Sequence, residues 1–201
     1  MSEKMISVGD TVQFGSYQKY ADKEPIDWRV LDVQDGKALL ITVYGIDRAW
    51  YQEEAPREVT WESCTLRKWM NSEFLATAFT AEEAEKILLT TVSPDKNPQY
   101  ATDPGAATQD KVFLLSVNEA KRYFPKNEDR ISHPTSYAKK RGTFIADGNC
   151  YWTLRTPGKE LYYVCYVVND GSISLWGEGT TKGGNAMRPA IWVQLPIENK
   201  E

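Results

Sequence analysis

The chain of 201 residues has one histidine, three cysteines, no long apolar run and no block of like charge, and each shortage removes a class of function. His133 lies in Ser132-His133-Pro134, a loop setting, and nothing in the chain resembles a nucleophile elbow. A Ser-His or Cys-His relay therefore lacks its parts, and no catalytic residue is expected. Cys64, Cys150 and Cys165 are odd in number and form no close pair, which argues against a disulfide framework or a zinc knuckle and for thiols. No apolar stretch approaches the roughly 20 residues that cross a bilayer, so no membrane span is expected. Met1-Ser2-Glu3-Lys4-Met5-Ile6 lacks the apolar core of a signal peptide. As given, the chain is expected in the cytoplasm, or secreted or at the surface if a leader was removed. The 24 basic residues are scattered and the net charge is −4. That offers no footprint for phosphate backbones, and nucleic acid is not an expected partner.

What the chain does have is aromatic bulk. Seven tryptophans and eleven tyrosines supply core packing and amphipathic surface, since both residue types bury large area while keeping a polar tip wet. They crowd the C-terminal third, where a binding surface is the sharper alternative to packing.

The length suits one domain over residues 1–201. Trp28 to Val33 and Ala38 to Tyr44 are apolar, β-branched runs around Gln34-Asp35-Gly36-Lys37, whose Asp-Gly supplies the positive φ of a tight hairpin. Leu66, Trp69, Met70 and Phe74 recur at steps of three and four, which predicts one buried helical face. Thr80-Ala81-Glu82-Glu83 is a capping box opening a helix to about Leu88, and Ser116-Val117-Asn118-Glu119 repeats the device. Ser93 to Gln109 is rich in Pro, Gly, Asp, Asn and Thr without period and reads as a long loop that needs a function or partial disorder to explain it. Thr135 to Arg141 predicts a helix ending at Gly142. Leu161 to Val168 is apolar on both alternating sets, as expected of a central strand, and Asn169-Asp170-Gly171 turns it back into Ser172 to Trp176. Antiparallel turns without strand-helix-strand alternation place the chain in the α+β class. Trp28, Leu40, Leu66, Trp69, Val112, Leu114, Val164, Ile191 and Val193 are the expected core.

Trp152-Thr153-Leu154-Arg155-Thr156-Pro157-Gly158, a strand-turn-strand segment and Arg188-Pro189-Ala190-Ile191-Trp192 resemble, in that order, an uncharacterised bacterial domain family. Val12 to Tyr17, Pro25 to Leu31, Thr60 to Asn71, Asp110 to Ser116 and Tyr137-Ala138 are similar to its earlier blocks. Thr156 stands where the family usually has serine, and Ala186-Met187 where it has Gly-Val. The family looks like a distant relative of the C-type-lectin-like folds typified by the formylglycine-generating enzyme. The resemblance implies an irregular antiparallel sheet with two or more helices packed outside it. The enzyme's oxidase activity does not carry over, because it uses a closely spaced C-terminal cysteine pair that is missing here.

Calcium-dependent lectins show Glu-Pro-Asn and Trp-Asn-Asp ligand motifs. Here Glu24-Pro25 is followed by Ile26 and no Trp-Asn-Asp occurs, so calcium is not expected, nor any other metal or cofactor. Asp103, Asp110 and Glu178 are acids whose meeting in space sequence does not decide. The glycine-rich Trp176 to Asn185 lacks the ending and the following helix of a phosphate loop. Arg155 and Arg188 each sit beside a strand and a proline, placed to hold an anion or to clamp loop carbonyls. The expectation is a non-catalytic domain binding a glycan or peptide through Trp152, Arg155, Trp176, Asn185, Arg188 and Trp192. Two alternatives stand beside it: an enzyme using a reactive cysteine, and a variable-receptor scaffold diversified from Gly177 to Ala186. Oligomeric state is left open.

Overall fold

The protein is described here by a computed structural model that covers residues 6–18, 22–54 and 56–196. It opens with β1 (Thr11–Tyr17), β2 (Glu24–Gln34), β3 (Lys37–Thr42) and the short β4 (Asp47–Arg48). The helices α1 (Thr65–Trp69), α2 (Leu75–Ala78) and α3 (Ala81–Lys86) follow, with a π-helical turn at Met70–Phe74 joining the first two. Strands β5 (Thr90–Val92), β6 (Thr108–Asp110) and β7 (Val112–Phe113) precede three short helices, α4 (Val117–Tyr123), α5 (Asn127–Arg130) and α6 (Ser136–Lys140). The C-terminal part is all strand: β8 (Ile145–Ala146), β9 (Asn149–Cys150), β10 (Trp152–Pro157), β11 (Tyr163–Val167), β12 (Ile173–Gly179), β13 (Ala186–Met187) and β14 (Ala190–Gln194).

Two five-stranded sheets carry the fold, in orders β1-β2-β3-β14-β7 and β12-β11-β10-β13-β4. The first is antiparallel throughout. The second contains one parallel pair, where Trp152 of β10 faces Ala186 of β13. This is an α+β arrangement of mostly antiparallel sheets with a few short helices. Buried side chains from both sheets and from α1, α2 and α4 form one continuous cluster, with Trp28, Leu40, Met70, Phe74, Leu114, Trp152 and Leu154 at or near zero exposure.

Local chemistry explains most boundaries. Asp35 and Gly36 both have positive φ, 49° and 70°, the pair of left-handed residues a two-residue hairpin requires. At Thr80 and Ser116 the hydroxyl accepts from the amide three residues on, while that residue's glutamate accepts from the cap amide, giving two complete capping boxes. The helix α3 stops at Lys86 rather than near Leu88. Ile87 is drawn instead into a bridge with Val193, and the Leu88 amide donates to Trp192 O at 2.8 Å.

Trp69 departs from the expected core. An α-helix drifts about 40° over every four residues, and the wider π turn takes up that drift, keeping Leu66, Met70 and Phe74 in one buried stripe. Trp69 is left at the edge of the stripe and only partly buried. The other eight expected core residues are buried. The long connection is also tied down. The Asn97 amide donates to Pro157 O and Leu175 O at 2.9 and 2.8 Å, and Thr102 Oγ1 donates to Gly158 O at 2.7 Å.

Candidate functional site

The structure does not bring the six residues expected to form a site into one surface. Trp152 is fully buried, and its indole N–H donates to Arg130 O at 2.9 Å. Arg188 is buried against it, 4.7 Å from the ring centroid, and donates from Nε and Nη2 to Thr42 O at 3.0 and 2.8 Å. It is a clamp, but the carbonyl it holds belongs to β3 and not to the glycine-rich loop. Arg155 is equally committed: it pairs with Glu119, donates to Leu114 O at 2.8 Å and reaches Ser93 O at 3.0 Å. Both arginines therefore pin backbone, the use favoured where buried carbonyls need partners. Trp192 lies on β14 in the other sheet, partly buried under Lys37 Nζ at 5.4 Å. Trp176 is 52% exposed on the edge strand β12, between Lys159 Nζ at 4.3 Å and Tyr100 at 6.2 Å.

Asn185 is buried beside Glu178. Burial raises the Glu178 carboxyl to about 7, while Lys182 and Asn185 pull it down. Asp103 and Asp110 lie elsewhere: Asp103 accepts from Gly105 N, and Asp110 is buried against Trp61, Arg67 and Thr108. Among the described residues no cluster of three or more His, Cys, Asp or Glu could hold a metal ion. His133 sits with Nδ1 3.1 Å from Gly148 O. The three cysteines are free and buried, and burial pushes Cys64 and Cys165 up to about 12 and Cys150 in the same direction.

A cleft of about 280 Å³ opens at the other edge of the second sheet, beside β4. It is lined by two segments of chain, Asp47, Arg48, Ala49, Trp50 and Glu53 from one and Thr65, Leu66, Trp69 and Glu73 from the other, and by Arg141. Asp47 is buried and fixed from three sides. Tyr17 Oη donates to Oδ2 at 2.7 Å, while Arg48 N and Arg141 Nε donate to Oδ1 at 2.7 and 3.3 Å. Burial and the adjoining Asp47 carboxylate push the Tyr17 phenol far up, so it stays a proton donor. Arg48 lies over the Trp50 ring at 5.2 Å and donates to Gly183 O and, at 3.2 Å, to Arg141 O. The two segments are tied through Thr65, whose Oγ1 accepts from Glu53 N and whose N–H donates to Gln52 Oε1, both at 3.0 Å.

Trp50 is 38% exposed and Trp69 half-buried, so two indoles border a rim carrying both signs of charge. Sequence reasoning missed this site. Asp47 to Glu53 has no period and no motif, and only an exposed tryptophan among charges hinted at it.

Residues 35–195 match the model of a family described as a domain of unknown function, DUF6273. The chain belongs to that family. The match spans most of the chain and includes all ten residues lining the cleft, while β1 with Tyr17 lies outside it. The cleft lining is thus part of the family domain itself. No curated protein and no solved structure matches the chain.

Proposed function

We propose that this is a non-catalytic binding domain and that a glycan occupies the cleft beside β4. The observation that carries the reading is the pairing of Trp50 and Trp69 with guanidinium and carboxylate groups in a concave space of about 280 Å³. A sugar ring has an apolar face of C–H groups and a rim of hydroxyls. The half-buried Trp69 indole and the exposed part of Trp50, whose ring is packed by Gly183 and Arg48, match the first, and charged fork-shaped groups the second. The volume lies just under the about 300 Å³ at which ordinary small-molecule pockets begin, which suits one ring.

The alternative of an enzyme using a reactive cysteine is disfavoured by the thiols. A reactive cysteine needs a lowered pKa and access to solvent, and all three here are buried and shifted the other way. A variable-receptor role is disfavoured because a Cβ at Gly177, Gly183 or Gly184 would fall within 2.7 Å of neighbouring atoms. A C-type-lectin-like relationship belongs to the proposal too, supported by mostly antiparallel sheets combined with a few short helices.

The test is a glycan and peptide library screen followed by calorimetry. Trp50→Ala and Trp69→Ala are each expected to weaken the best glycan at least tenfold, about 1.4 kcal/mol, with far-UV circular dichroism unchanged. Peptide binding alone, or glycan binding indifferent to both changes, would overturn the reading.

A further inference from the structure

We infer, resting on the glycan reading of the cleft, that the sugar is acidic and that Arg141 takes its carboxylate. Most polar groups lining the cleft are already engaged. Both Asp47 oxygens accept, one from Tyr17 Oη and the other from Arg48 N and Arg141 Nε. Arg48 donates to Gly183 O from Nε and to Arg141 O from Nη1, with its face over Trp50. The Thr65 hydroxyl accepts from Glu53 N. Arg141 differs. Its Nε meets Asp47 Oδ1 at 3.3 Å, and among the described residues Nη1 and Nη2 have no hydrogen-bond partner.

This guanidinium is held at both ends of its side chain. Arg141 caps the end of α6, its amide donating to Tyr137 O at 3.0 Å and its carbonyl accepting from Arg48 Nη1 at 3.2 Å. The start of α6 is tied to the chain entering β4, with Thr135 N donating to Gly45 O at 2.9 Å and Thr135 Oγ1 to Ile46 O at 3.3 Å. At the tip, Nε is fixed by Asp47, whose side chain is 3% exposed against 39% for Arg141. Asp47 is fixed in turn by the buried Tyr17 hydroxyl at 2.7 Å. For stability alone, an apolar side chain of similar size would serve as well as a buried carboxylate in an ion pair. What the carboxylate adds is an arginine anchored at Nε, with its terminal Nη1–Nη2 edge left to the cleft.

That edge selects a carboxylate. Two parallel N–H donors match two carboxylate oxygens, and the charge-assisted pair is shorter and roughly twice as strong as hydrogen bonds between neutral groups. Glu53 and Glu73 also line the cleft, but both are exposed, so water and salt screen their repulsion of an anion. The Asp47 charge is shared among three donors. A uronic acid therefore gains a contact that its neutral counterpart lacks.

Calorimetric titration of the full chain with glucuronate beside glucose, and galacturonate beside galactose, tests the inference. In at least one pair the uronate is expected to bind at least tenfold tighter, about 1.4 kcal/mol, and the difference should shrink in high salt. Arg141→Lys keeps the charge and loses the fork, so it should bring the pair within about threefold while neutral-sugar affinity stays unchanged. Tyr17→Phe leaves Arg141 in place and releases Asp47 Oδ2, and should lower the uronate preference several-fold. The ratio is the readout, because a general loss of structure weakens both members of a pair alike. Equal affinity for uronate and neutral sugar, or a preference that survives Arg141→Lys, would overturn the inference and leave the glycan reading standing. Tighter binding of inorganic phosphate or of an acidic peptide than of either uronate would overturn it too, assigning Arg141 to another anion. No binding of any of these sugars would remove the glycan reading along with it.

Discussion

Arg188 holds a buried carbonyl without any carboxylate beside it. Its planar fork spans Thr42 O with two donors while its face rests on Trp152, a geometry that a lysine ammonium does not reproduce. Arg188→Lys is expected to lower stability by about 1.5–3 kcal/mol, the scale of hydrogen bonds to charged groups, read from denaturant unfolding. Glu178 tests the pH dependence. Its folded pKa, about 7, lies above the 4.5 of a free glutamate. The stability it contributes is complete below 4.5 and is lost as pH rises through 7, because the unfolded chain releases the proton first. The denaturation midpoint should therefore fall between pH 5 and pH 8, and Glu178→Gln should flatten that slope. An unchanged slope in the variant would assign the dependence to other groups.

The strap between β5 and β6 illustrates how an unpatterned segment becomes ordered. Asn97 is buried and uses its whole side chain: Nδ2 donates to Pro157 O and Leu175 O, and Oδ1 accepts from Gln99 N and Tyr100 N. Pro157 and Leu175 belong to β10 and β12, so one amide staples the strap to two strands of the second sheet. Asn97→Ala would leave the Pro157 and Leu175 carbonyls with only the weak Cys165 thiol donor, at about 1–3 kcal/mol each in the worst case. The expected outcome is faster limited proteolysis within residues 93–107 and higher amide exchange in β12, before any global unfolding. Equal protection in variant and parent would show that Thr102 and the flanking strands suffice. Other elements were legible because their causes are local. The β2–β3 hairpin follows from Asp35-Gly36, and the starts of α3 and α4 from their capping boxes.

The two sheets share one apolar cluster, into which β14 contributes Ile191 and Val193 from the first and β10 contributes Trp152 and Leu154 from the second. Bridging residues reinforce the union: Arg155 of β10 reaches Leu114 O just after β7, and Arg188 between β13 and β14 reaches β3. Unfolding is accordingly expected as one cooperative transition, with far-UV and near-UV signals superimposing. Two resolved transitions would mean that the sheets hold separate cores.

By itself the sequence determined the α+β class, the antiparallel turns, the helix starts and eight of the nine named core positions, because periodicity and turn chemistry act over a few residues. Only the tertiary structure decided what the conspicuous C-terminal aromatics and arginines do. Trp152, Arg155 and Arg188 read alike as surface or core until their carbonyl partners, Arg130, Leu114 and Thr42, come from distant segments. The same holds for the cleft. Its lining comes from residues 47–53 and 65–73 and from Arg141, and its link to the glycine loop from Gly183. No local pattern encodes that convergence, since it depends on which strand lies at the edge of a sheet and on a π turn that leaves Trp69 out of the core.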